Sequence, residues 1–248
     1  MTRNIFIATA EPYSGKSIVA LGLVDMLLSK AQKIGYYKPI VNFAPETEQD
    51  PHIETVLNHF NLPIRYEDTF AYTQQEALHL IESGRQGEII DRIISHFKKL
   101  EESCDFTVIE GSDFLGQGTA FQFDANVTIA KNLGAPVIIV ASAEGETSEQ
   151  IISSVRTIKR NFEVRDVQVL AVIANKVSPE QLGEVNAYFK SQQQSQTTYA
   201  AIPEEQNLKS PSMKEVLEVL GGNCFSVSSS FSTRSITPSW GPCRCPTS

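Results

Sequence analysis

The segment NIFIATAEPYSGKSIVALGLVDMLLSKAQKIG, residues 4–35, constrains the fold more than any other. A short apolar run leads into a loop ending Ser14-Gly15-Lys16-Ser17, and apolar residues then recur at helical spacing. The run over 4–9 reads as a buried strand, and the periodicity over 16–35 reads as a helix stopped at Gly35. A strand, a tight loop and a helix in that order aim the first free N–H groups of the helix at anionic oxygen. In such a cradle Lys16 brings positive charge to phosphate and Ser17 offers a hydroxyl to Mg²⁺. The opening of the loop is unusual. Thr9 and Ala10 stand where a phosphate loop starts with glycine, and Pro12 removes one N–H donor.

Strand-like and helix-like stretches alternate along the rest of the chain. Strands are expected at 36–41, broken by Pro39, and at 104–111, 135–142, 167–176 and 197–203. Helices are expected at 50–60, 74–83, 86–103, 120–133, 146–161, 179–190 and 211–220. Asp50 with Pro51 makes a natural helix start. The alternation predicts an α/β fold with a mostly parallel sheet covered by helices on both faces, and the loop makes the expected fold one of P-loop NTPase type. Ligands on such sheets bind beyond the carboxyl ends of the strands.

Further residues with usable chemistry fall at those ends. Lys38, in GYYKPI, can add charge to a phosphate or a carboxylate, or can be an ordinary surface lysine. Glu110 closes the apolar strand FTVIE and is followed by glycine, an arrangement that holds Mg²⁺ or its water. A solvated strand-end acid is its plain alternative. Asp50 is a weaker candidate for the metal shell, since its capping role explains it equally well. Asn175, in AVIANK, offers donor and acceptor together, as an adenine edge requires, and is otherwise a turn residue.

Composition excludes some classes. The net charge of −8 disfavours non-specific binding to nucleic acid or to anionic membranes. No stretch is apolar and long enough to span a bilayer, and the N-terminus lacks the apolar core of a secretion signal, so a cytoplasmic location is expected. Cys104 is expected to be a buried, reduced thiol.

Together, the SGKS loop, GYYKPI, VIEG, ANK and the late AIPE segment resemble the dethiobiotin synthetase-like P-loop family, over roughly residues 3–220. That family includes the cobyrinic acid diamide synthase amidases. The resemblance implies that Ser14, Gly15, Lys16 and Ser17 bind the phosphates of ATP, with Lys16 and Lys38 as catalytic lysines. It implies Ser17, Asp50 and Glu110 around Mg²⁺, Asn175 at adenine, and Ile202, Pro203 and Glu204 lining the base pocket.

Within the family, EGSDFLGQG after the strand places Asp113 and Phe114 where the ligases carry small residues. This version, with IPEEQNLKSPSMKEVLEVLGG, looks like the N-terminal domain of long phosphate acetyltransferases and their relatives, where a DRTGG domain follows. The resemblance then implies a regulatory nucleotide-binding domain that acts in a homo-oligomer or on a partner domain. An ATP-dependent ligase and a nucleotide-free interaction module are the alternative readings.

Residues 1–222 are expected to form the P-loop domain. From Asn223 to Ser248 the chain is rich in Ser, Thr and Pro and contains no acidic residue, so a disordered tail is expected. Its end, GPCRCPTS, is also what codons for Gly-Ala-Met-Gln-Met-Pro-Asn-Phe give when read one base over, consistent with a frame-shifted reading of a longer protein.

Overall fold

The computed structural model describes residues 3–9, 13–43, 49–112, 119–192 and 196–205. Six strands form one sheet: β1 (Asn4–Ala8), β2 (Ile34–Tyr37), β5 (Phe106–Glu110), β6 (Val137–Ser142), β7 (Val169–Val177) and β8 (Thr198–Pro203). Their order is β2-β5-β1-β6-β7-β8, and every pairing is parallel. A separate parallel pair joins β3 (Ile40–Val41) to β4 (Tyr72–Thr73). The helices are α1 (Lys16–Leu28), α2 (Pro51–Phe60), α3 (Gln74–Glu82), α4 (Gln86–Ser103), α5 (Thr119–Asn132), α6 (Ser148–Glu163) and α7 (Leu182–Ser191).

Side chains of β1 alternate between the two faces of the sheet. Ile5 and Ile7 pack with Ala20 and Val24 of α1 and with Ile53 and Val56 of α2. Phe6 and Ala8 belong to a second cluster with Phe97 of α4, Val127 of α5, Ile151 and Phe162 of α6, and Phe189 of α7. Both faces are therefore covered, and all five β1 residues are buried. That is why this strand reads as a continuous apolar run rather than an alternating one. The expected α/β architecture is what the chain adopts.

The strand order places the site. After β1 the chain crosses to β2 on one side, beyond β5, whereas β6 lies on the other side of β1. The carboxyl end of β1 is thus a topological switch point, where diverging loops leave a crevice.

The strand-like run over 36–41, expected to be broken by Pro39, is two strands in two sheets. Pro39 divides them: it has no N–H for a ladder and restricts the residue before it. Its carbonyl instead accepts N–H donation from Ala71 at 3.1 Å, which turns β3 toward β4.

Gly35 does not stop α1, which ends at Leu28. Asp105 accepts N–H donation from Gln32 and Lys33 at 3.2 and 2.9 Å, and this draws the chain into β2 early. Gly35 lies within β2, where a Cβ would stand 2.7 Å from Thr107 Oγ1. Close packing, not a turn, requires glycine there. The helix expected from 146 begins at Ser148, fixed by a capping box between Thr147 and Gln150.

The chain forms a compact unit over Met1–Pro203, and Glu204–Ser248 form a second. The helix expected at 211–220, the tail from Asn223, the loop residues Ala10 to Pro12, and Asp113 and Phe114 all lie outside the described residues. Cys104 is buried and unbridged, and burial pushes its thiol pKa up. It packs under β2 and is a core residue.

Candidate functional site

The loop after β1 turns sharply into α1. Gly15 is the N-cap, with φ 87° in the left-handed region, and its carbonyl accepts from Ile18 and Val19 N–H at 3.1 and 3.2 Å. Tyr13 also has a positive φ, 58°, a conformation costly for an aromatic residue, and its ring is exposed. Ser14 and Lys16 are buried. The loop forms one wall of a cavity of about 450 Å³, with Lys38, Asp50, His52 and Lys176 among the residues opposite. That volume suits a small ligand. Three lysines face it, of which Lys38 is paired with Asp50 and Lys176 with Glu144.

Glu110, at the end of β5, is fully buried beneath the loop. Its Oε1 accepts a hydrogen bond from Ser17 Oγ at 3.0 Å and lies 2.9 Å from His52 Nδ1. Tyr36 OH donates to Oε2. Burial alone would raise the carboxyl pKa, but the His52 hydrogen bond and the charges of Lys38 and Lys16 outweigh it and hold the pKa down at about 2. The Tyr36 phenol is shifted the opposite way, raised by burial and by the Glu110 charge. A carboxylate is thus kept ionised inside the protein, with its charge directed at the loop.

Lys38 follows β2, its backbone N–H held by the Thr69 carbonyl at 2.8 Å. Its Nζ forms a buried ion pair with Asp50 Oδ2 at 2.7 Å and stands 3.3 Å from His52 Nδ1. The same Oδ2 accepts from Asn42 N–H at 3.3 Å, and Oδ1 caps α2 by accepting from His52 and Ile53 N–H at 3.0 and 3.3 Å. Asp50 thus caps the helix, as the sequence reading allowed, and also neutralises Lys38.

Of the residues expected at the site, Ser14, Gly15, Lys16, Ser17, Lys38 and Asp50 line the cavity, with Glu110 beneath it. Asn175 sits behind the loop: its Nδ2 donates to the Ser14 carbonyl at 2.8 Å. Ile202 and Pro203 are exposed at the end of β8 and do not line this cavity, and Glu204 begins the second unit.

Sequence reasoning missed His52 and Tyr36. Tyr36 is two residues before Lys38, the spacing that in extended chain puts two side chains on one side. His52 is the second residue after the Asp50 cap, on the first turn of α2. After β5, Asn126 clamps Ser112, accepting its N–H and donating to its carbonyl, both at 3.0 Å.

Fold and loop together define a P-loop NTPase-type α/β domain. The chain belongs to the AAA domain family AAA_26, whose model matches residues 3–212. It is also similar to phosphate acetyltransferases. The one from Nitratidesulfovibrio vulgaris is 35% identical over 225 residues, covering 89% of this chain and 32% of the relative. That from Synechocystis sp. is 33% identical over 227 residues, covering 91% and 33%. The chain therefore spans about a third of the length of these relatives. Among solved structures, a plasmid partition protein from Borrelia burgdorferi bound to AMPPNP shares the fold, with a TM-score of 0.51 at 14% identity over 84% of this chain and 88% of that one.

Proposed function

We propose that the chain is a regulatory nucleotide-binding domain, which takes ATP with a divalent cation and transmits occupancy to a second copy or to a partner domain. One observation carries this reading. Ser17, at the start of α1, contacts a buried carboxylate kept ionised by Lys16, Lys38 and His52. A buried charge maintained in this way is costly, and strongly shifted carboxylates cluster at functional sites.

The N-terminal N–H groups of α1 and the Lys16 ammonium would bind the phosphates. A hydroxyl and an ionised carboxylate side by side fit Mg²⁺, a hard cation that takes oxygen ligands. Ser17 and Glu110 would hold the ion, which neutralises charge on the β- and γ-phosphates. Lys38 would face the γ-phosphate, with Asp50 setting its position. Asn175 would act by fixing the loop. The similarity to phosphate acetyltransferases covers about a third of their length, a domain-sized stretch of those enzymes. No helix among the described residues is long and apolar enough to cross a membrane.

A ligase of the dethiobiotin synthetase type would use the same loop, with Lys38 as a second catalytic lysine. Incubation with ATP, Mg²⁺, diaminopelargonate and bicarbonate separates the two readings. Nucleotide binding with no ADP release above background supports the regulatory one. Substrate-dependent ADP release supports the ligase.

A further inference from the structure

We propose that His52 is a third ligand of the cation site formed by Ser17 and Glu110, which makes the site favour Co²⁺ and Mn²⁺ over Mg²⁺. The inference builds on the nucleotide reading, in that phosphate oxygens and water would complete the coordination shell.

Three atoms form a nearly equilateral triangle. Ser17 Oγ is 3.0 Å from Glu110 Oε1, Ser17 Oγ is 3.0 Å from His52 Nδ1, and His52 Nδ1 is 2.9 Å from Glu110 Oε1. These are the edges of one face of an octahedron whose metal–ligand distance is about 2.1 Å, the length that Mg²⁺ and first-row divalent ions adopt.

Without a cation, hydrogen bonding leaves one close contact of His52 Nδ1 unserved. His52 Nδ1 carries either a proton or a lone pair. It stands 2.9 Å from a carboxylate oxygen, which only accepts, and 3.3 Å from the Lys38 ammonium, which only donates. A protonated Nδ1 serves Glu110 and opposes Lys38; a bare Nδ1 serves Lys38 and opposes Glu110. A cation on the triangle satisfies the bare nitrogen and the carboxylate together, while Lys38 keeps Asp50 at 2.7 Å as its partner.

The surroundings hold the ligands in place. Tyr36 OH engages Glu110 Oε2, leaving Oε1 toward Ser17 and His52. Ser17 and His52 line the cavity from which an ion and a nucleotide would enter, the His52 side chain being 38% exposed, and Glu110 lies buried behind them. Imidazole nitrogen is a poor partner for Mg²⁺ and a good one for transition ions, among which Co²⁺ binds more tightly than Mn²⁺.

The test uses the full chain with Mn²⁺, first alone and then with ATP, read by pulsed electron paramagnetic resonance for ¹⁴N coupling. Competition titrations with Co²⁺ and Mg²⁺ run beside it. His52→Ala and His52→Gln are compared with wild type, and His59→Ala, on the last turn of α2, serves as control. The expected result is a histidine ¹⁴N coupling in wild type and His59→Ala that both His52 variants lose. Loss of an outer-shell partner alone costs about tenfold or more, so the direct ligand's loss should weaken Co²⁺ by at least about tenfold while Mg²⁺ changes less. Coupling seen with Mn²⁺ alone in a chain that binds no ATP keeps the site and removes the nucleotide reading. ATP binding with no histidine coupling in either condition, or equal coupling in the His52 variants, overturns the proposal.

Discussion

Asn175 donates its side-chain amide to the Ser14 carbonyl at 2.8 Å, so β7 holds the phosphate loop from 161 residues further along the chain. The contact also explains the glycine beside it. A Cβ on Gly15 would stand 2.2 Å from Asn175 Nδ2, in a backbone with φ 87°. Gly15→Ala should therefore displace the amide and strain the loop at once. Asn175→Ala should remove only one hydrogen bond, at a cost of about 1 kcal/mol. Urea unfolding of the two variants tests this: the glycine variant should have the lower midpoint, and the reverse order would count against the role given to Asn175.

Glu110 gives the fold an acid limb. Its folded pKa of about 2 lies below the ordinary value of 4.5. A depressed carboxyl pKa adds stability that is present above the ordinary value and is lost as pH falls through the folded one. The contribution is roughly 3 kcal/mol at neutral pH, with roughly half gone by about pH 3. In Glu110→Gln the urea midpoint should fall less steeply than in wild type between about pH 5 and pH 3. Parallel pH profiles would show that the carboxylate is not held as described.

The Lys38–Asp50 pair is buried on both sides, at 6% and 1% side-chain exposure. Removing one member of such a pair leaves an uncompensated charge, at a cost of about 3–5 kcal/mol. Lys38→Met should destabilise the chain by that order, and Asp50→Asn introduced into Lys38→Met should restore part of the loss, because asparagine still caps α2. A thermal-melt double-mutant cycle reads the coupling. Additive effects would show that Lys38 and Asp50 act independently.

Much of the fold is legible in the sequence because periodicity reports burial. The run NIFIA is buried on both faces and reads as a strand; α6 shows its apolar face at Ile151, Val155, Ile158 and Phe162. Boundaries set by distant groups are not legible. Gly35 reads as a helix stop because its neighbours, Cys104 at the end of α4 and Thr107 in β5, lie far along the chain, and only folding brings them near. Lys16, Ser17 and Glu110 were readable because each ends or starts an element. His52 was not, because its relation to Glu110 spans 58 residues and no local pattern marks it. The sequence reading pointed Asn175 at an adenine edge, whereas in the structure its amide donates to the Ser14 carbonyl, a main-chain partner that side-chain chemistry alone does not reveal.

On the proposed reading, this loop binds nucleotide through Lys16. Calorimetric titration of ATP, with and without Mg²⁺, into the wild-type chain and Lys16→Ala tests it most directly, with circular dichroism verifying that both are folded. Hydrogen bonds to charged groups contribute about 1.5–3 kcal/mol, so Lys16→Ala should weaken ATP by about tenfold to a hundredfold. Absence of binding to the wild-type chain, or equal affinity in the two proteins, would contradict the account.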